Sequence, residues 1–279
     1  MRTLSADVLD LTRVAETDAH EGPVYAFDED ALYFTTVRRG RVAIKRLELA
    51  TGSLSTVPAD ANTANGMALD RQGRLVVCEQ GTLTEPARIS RVDRRTGAHE
   101  TLIEGFNSPN DIVVKSDGTI WFTDPSYGWL QGFRPKPERG DFVYRYDPGS
   151  DELTIVADSL DKPNGLAFSP DETVLYVGDN GAPHHLLAFE VEDDSRLTRD
   201  RVVAVSTPEH PDGIKVDSEG RIYASFARGI QVLSPDGETV GGIELPGAVN
   251  FTFGGPEKNV LYITADTAVW AAVLDAKGA

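Results

Sequence analysis

Three stretches decide the fold: Asn65–Glu79, NGMALDRQGRLVVCE; Asn164–Asp179, NGLAFSPDETVLYVGD; and Asp212–Phe226, DGIKVDSEGRIYASF. Each runs from a polar residue and a glycine through a short alternating strand, an acidic or glycine turn, and a second apolar strand, which is how one repeated supersecondary unit reads in sequence. Three further stretches keep the pattern with changes of detail: Glu21–Thr36, Asn110–Asp124 and Asn250–Thr264. The leading residues Glu21, Asn65, Asn110, Asn164, Asp212 and Asn250 are spaced by 44, 45, 54, 48 and 38 residues. That spacing matches the roughly 40–50 residues of a four-stranded propeller blade.

The expectation is an all-β, six-bladed β-propeller with four antiparallel strands per blade, forming one domain over residues 1–279. Each repeat supplies two more apolar segments for its outer strands. The last repeat is one strand short, and a strand expected at about Ala6 to Val14 precedes the first copy. The N-terminal strand is therefore expected to complete the last blade and close the ring, leaving no exposed edge at the seam. No useful helical periodicity appears, and the long third interval is read as a loop insertion, Tyr127 to Gly140.

Composition narrows the function. The chain carries 44 Asp and Glu against 27 Lys and Arg, a formal charge of −17. Such a surface repels nucleic acid and anionic membranes. The first fifteen residues lack a signal-peptide apolar run, and no stretch approaches the ~20 apolar residues of a membrane span, so a cytoplasmic location is expected. The single Cys78 lies in an apolar run and reads as a buried hydrophobe. Oligomeric state is not legible.

If every repeat begins its innermost strand at the same face, the six leading residues form a ring of two carboxylates and four amides. These are hard oxygen donors without thiolate or imidazole, and they suit Ca²⁺, Mg²⁺ or Mn²⁺ better than zinc. The alternative is that these residues cap turns through their own backbone. Capping suffices for Asn65 and Asn250 but fits Glu21 badly, because a carboxylate facing a channel needs a partner of opposite charge.

The sequence resembles the family of senescence marker protein, gluconolactonase and luciferin-regenerating enzyme. The resemblance rests on Glu21-Gly22-Pro23-Val24-Tyr25, Ser108-Pro109-Asn110-Asp111, Trp121-Phe122-Thr123-Asp124-Pro125-Ser126-Tyr127-Gly128, Lys162-Pro163-Asn164-Gly165, Pro211-Asp212-Gly213-Ile214 and Leu261-Tyr262-Ile263-Thr264. It implies a six-bladed propeller holding one divalent metal ion on Glu21, Asn164 and Asp212, with Asn110 touching metal or substrate. Ca²⁺ is expected first, with Mg²⁺, Mn²⁺ or Zn²⁺ as alternatives. Where similar gluconolactonases often read Cys-Glu-His-Gly, this chain reads Cys78-Glu79-Gln80-Gly81.

The resemblance implies metal-dependent opening of a lactone, a sugar lactone or related small cyclic ester. Asp212 is the expected general base and Asp124 the second candidate, although a turn-forming role for Asp124 before Pro125 weighs equally. Substrate contacts are expected from Asn110, Tyr127, Trp129 and His184, with His20 and His210 as supporting donors. Two other classes compete: a phosphotriesterase of the diisopropyl fluorophosphatase type, and a non-catalytic interaction propeller.

Overall fold

A computed structural model describes residues 8–37, 41–182, 184–193, 195–205 and 210–279. These residues build six four-stranded antiparallel sheets, each strand pairing with its sequence neighbour in five of them. The first strands are Val24–Ala26, Ala64–Leu69, Ile112–Val114, Pro163–Phe168, Ile214–Val216 and Asn250–Gly254. Each touches the first strand of the blade before it and of the blade after it, and the sixth touches the first, so they close a central ring.

Closure is made by the N-terminal strand. Val8–Ala19 pairs antiparallel with Asp266–Leu274 as the outer strand of blade six, from Val8 opposite Leu274 to Ala19 opposite Asp266. The strand runs five residues beyond the expected end at Val14, and residues 6 and 7 of the expected strand lie outside the described residues. The insertion after Asp124 is not wholly irregular: Tyr127–Leu130 forms one α-helical turn. Among the described residues no helix is long and apolar enough to cross a membrane.

Alternation along the strands explains why the blades stack. In the second strand of blade one, Tyr33 points into the seam with blade two, beside Met67, Leu75 and Val77. Its neighbours Leu32 and Phe34 point the other way, against Tyr262 and Val269 of blade six. Both faces of each blade are therefore apolar, and burying them forms a core cluster at every seam. Cys78 is buried in the seam between blades two and three, as expected.

At the ends of the second strands lie the pairs Thr35-Thr36, Cys78-Glu79, Thr123-Asp124, Gly178-Asp179, Ser225-Phe226 and Thr264-Ala265, with Thr36 and Ala265 just past their strands. The first residue of each pair is small because it sits at a seam, and its hydroxyl, where present, ties the central ring together. Thr35 Oγ1 donates to the carbonyls of Glu21 and of Asn65 in the next blade, at 3.0 and 3.2 Å. Thr123 Oγ1 donates to Asn164 O of the next blade at 2.8 Å. The residue after each leader is glycine in four repeats for a similar steric reason. A Cβ on Gly22, whose φ is +56°, would lie 2.5 Å from Asn65 O.

Candidate functional site

Four of the six leading residues, Glu21, Asn110, Asn164 and Asp212, line one cavity of about 320 Å³. They come from blades one, three, four and five, so the cavity is assembled by ring closure and no blade holds it alone. Asn65 also reaches the cavity, but its Nδ2 donates to Asn110 O at 3.0 Å, bracing the neighbouring leader. Asn250 lies behind the ring: its Nδ2 donates to Glu21 Oε2 at 2.8 Å and its Oδ1 accepts Phe251 N. The capping roles expected for Asn65 and Asn250 thus become roles in positioning Asn110 and Glu21.

Burial dominates the electrostatics. It raises the Glu21 carboxyl above the usual range, and the nearby charge of Asp111 raises it further. Asp212 is raised well above its ordinary value, by burial first and then by Glu21 and Asp111. Asp111 is raised by burial as well, with Lys215 pulling it back. Three carboxylates that oppose one another's ionisation form a field that a cation relieves.

The residues present fit a hard divalent ion. Asn110 Oδ1 is buried without a hydrogen-bond partner, an acceptor left over from the fold's own bonding. The oxygen set of Glu21, Asn110, Asn164 and Asp212 matches the ligands such ions take. Among the described residues no group of three or more His, Cys, Asp or Glu is arranged to hold a metal. The candidate set instead pairs two carboxylates with two amides.

Asp124 is placed elsewhere. It is 1 % exposed, is absent from the cavity lining, and uses both oxygens on backbone amides: Oδ2 accepts Asn107 N at 2.9 Å and Oδ1 accepts Ser108 N at 2.8 Å. Those amides lie just ahead of Pro109-Asn110. Asp179, the equivalent residue of blade four, accepts Asp161 N and Lys162 N ahead of Pro163-Asn164. Both carboxylates therefore act as clamps that fix a candidate ligand, and Asp124 binds amides 16 and 17 residues earlier in the chain, not the turn before Pro125.

Of the residues expected to meet substrate, Asn110 and Tyr127 line the cavity while Trp129 and His184 do not. Trp129 is 43 % exposed on the outer side of its helical turn, and Gln131 from the same insertion reaches the cavity. His184 braces its own loop, with Nδ1 3.1 Å from Asn180 O and its ring edge-on to His210 at 4.1 Å. His20 does line the cavity, its Nδ1 2.7 Å from Asp266 Oδ1. The Tyr127 hydroxyl is pushed up by burial and by Asp212, and contacts with the Asn180 and Asn164 amides oppose the shift.

Sequence reading passed over Asp111, Gln131 and Asn180, and met Gln80 only as a departure from the Cys-Glu-His-Gly of similar gluconolactonases. Asp111 had a signal: it occupies the position after the leader that is glycine in four other repeats. A buried carboxyl at a position without a side chain in four of the other repeats is that signal. Gln80 and Asn180 follow the strand-end carboxylates Glu79 and Asp179, a pattern visible only once the second strands are aligned.

A family model described as the SMP-30/gluconolactonase/LRE-like region matches residues 19–267. A gluconolactonase from Zymomonas mobilis is 31 % identical over 194 residues, 64 % of this chain and 53 % of that protein, so the chain matches about half of that relative's length. A pentonolactonase from Haloferax volcanii is 28 % identical, with 91 % of this chain and 84 % of that protein aligned. The solved structure of a gluconolactonase from Xanthomonas campestris superposes with a TM-score of 0.83 at 36 % identity, covering 95 % of this chain and 89 % of that one.

Proposed function

The chain belongs to the SMP-30/gluconolactonase/LRE-like family, and from that premise we propose that it is a metal-dependent lactonase, hydrolysing a small cyclic ester at the mouth of its central channel. The observation that carries the proposal is the convergence of Glu21, Asn110, Asn164 and Asp212 on one polar cavity, with Asn110 Oδ1 unpartnered. The similarity to gluconolactonases and a pentonolactonase supports lactone as the substrate class.

Those four residues would hold the ion, Ca²⁺ foremost, which when bound supplies Lewis-acid polarisation of the ester carbonyl and stabilisation of the developing oxyanion. Asp212, half-buried and facing the cavity, orients the attacking water and takes its proton. The same proton returns to the ring oxygen as the acyl–oxygen bond breaks, so the product is the open hydroxy acid. Tyr127 and Asn110 set the ring against the carboxylate, and the apolar seams beneath keep the clamps around Asn110 and Asn164 from relaxing.

The test is a hydrolysis screen over aldonolactones, aliphatic lactones, aryl esters and phosphotriesters, with and without chelator. Chelator-sensitive opening of lactones is expected. A preference for phosphotriesters assigns the site to the other hydrolase class, and no hydrolysis of any substrate leaves a binding propeller.

A further inference from the structure

Two cavity amides have no part in the proposed ion site. Gln80 and Asn180 occupy equivalent places in blades two and four, each directly after a buried strand-end carboxylate and directly before a glycine. Their backbones are held in the same way: Gln80 N donates to Thr63 O at 3.0 Å and Asn180 N to Lys162 O at 2.9 Å, in each case to the residue two before the blade's leader. Asn180 is fixed further by Asp179, whose Oδ1 accepts Gly181 N at 2.8 Å, and by the His184 ring against its carbonyl. Both side chains line the cavity.

Asn180 Oδ1 is buried and has no hydrogen-bond partner. Its orientation follows from its neighbours. The Tyr127 hydroxyl lies 3.5 Å from Lys162 O, and the Asn180 side chain lowers the proton affinity of that hydroxyl, which is the effect of a donor and so of Nδ2. The carbonyl end is left over. A buried acceptor held rigidly at the edge of a polar cavity is costly unless a ligand's donor completes it.

We propose that Asn180 is a specificity-determining residue that accepts a hydrogen bond from a ring hydroxyl of the substrate, with Gln80 serving a second hydroxyl from the equivalent place in blade two. The proposal rests on the lactonase reading and narrows it to hydroxylated lactones. A site built around a substrate hydroxyl discriminates strongly against the analogue that lacks it, because the unpaired group stays buried.

The experiment compares glucono-δ-lactone, which carries ring hydroxyls, with δ-valerolactone, the same ring without them. kcat/KM is measured for the parent, Asn180→Ala, Asn180→Ser and Gln80→Ala. Each variant is expected to lose about ten-fold or more on the hydroxylated lactone, mainly through KM, and to stay within about three-fold of the parent on the bare ring. The retained rate on valerolactone serves as the control for folding. Equal losses on both rings, or no loss on either, overturn the assignment while leaving the lactonase reading intact. A parent that opens neither ring overturns the reading and this proposal with it.

Discussion

Replacing Asp124 by asparagine separates a clamp from a catalytic base. The carboxylate is buried and holds Asn107 N and Ser108 N at 2.9 and 2.8 Å. Alanine leaves both amides buried without an acceptor, at about 1–3 kcal/mol each, so Asp124→Ala is expected to lose roughly 2–6 kcal/mol. Asparagine keeps one acceptor oxygen and turns an amino group toward the other amide, so Asp124→Asn is expected to lose about half as much. Burial pushes the carboxyl up to about 7 from an ordinary 3.8, against the pull of the two amide donors.

The pH dependence follows from that shift. The folded state holds this proton more tightly than the unfolded state, so the contribution is fully present below about pH 4 and is lost as pH rises through the folded value near 7. The slope is at most ~1.4 kcal/mol per pH unit for one proton. Asp124→Asn cannot ionise there. Urea denaturation from pH 4.5 to 7.5 should therefore show the stability gap between parent and Asp124→Asn narrowing as pH rises, with turnover per folded molecule little changed. A gap independent of pH refutes the burial argument. A stable variant whose turnover falls ~10²–10⁴-fold makes Asp124 a base after all.

Removing residues 1 to 14 strips the pairing from Val8 to Arg13 and the packing of Leu11 and Val14 from blade six. More than ~2 kcal/mol should be lost, lowering Tm by about 5 °C or more, and an unchanged Tm rules out ring closure by this strand. Replacing residues 129 to 139 with a short Gly-Ser link takes Gln131 out of the cavity and removes Arg134, whose guanidinium donates to the carbonyls of Thr82, Glu85, Phe106 and Asn107. Which lactones are accepted should change while cation affinity, read by calorimetry, stays the same; an unaltered substrate profile places selectivity outside the insertion.

The blade count, the ring closure and four cavity residues were legible because strand alternation and a repeated leader are local features that ring geometry merely multiplies. The four leaders meet because each starts its blade's inner strand, so a repeat position translates directly into a place in space. Gln80, Gln131 and Asn180 follow strand ends or sit in an insertion, where the direction of a side chain depends on clamps contributed by residues far away in sequence. Asp124 and Asp212 illustrate the same limit from the other side. Both are aspartates in motif-like surroundings, and what tells them apart is the pair of backbone amides on Asp124 and the cavity that Asp212 faces. Trp129 and His184 have the residue types of a recognition surface, yet the turn of Tyr127–Leu130 sends Trp129 outward and the Asn180 carbonyl engages His184.

The central claim assigns Glu21 and Asp212 to one ion but to different duties, and one measurement reads both: turnover and bound metal across a Ca²⁺ titration of chelator-stripped parent, Glu21→Gln and Asp212→Asn. Glu21→Gln keeps an oxygen donor and loses a charge, so its affinity should fall while excess Ca²⁺ restores much of the rate. Asp212→Asn should regain occupancy at high Ca²⁺ yet remain ~10²–10⁴-fold slower, the contribution of a positioned base. Saturated Asp212→Asn turning over within a few-fold of the parent, or a stripped parent hydrolysing lactone at full rate, contradicts the account.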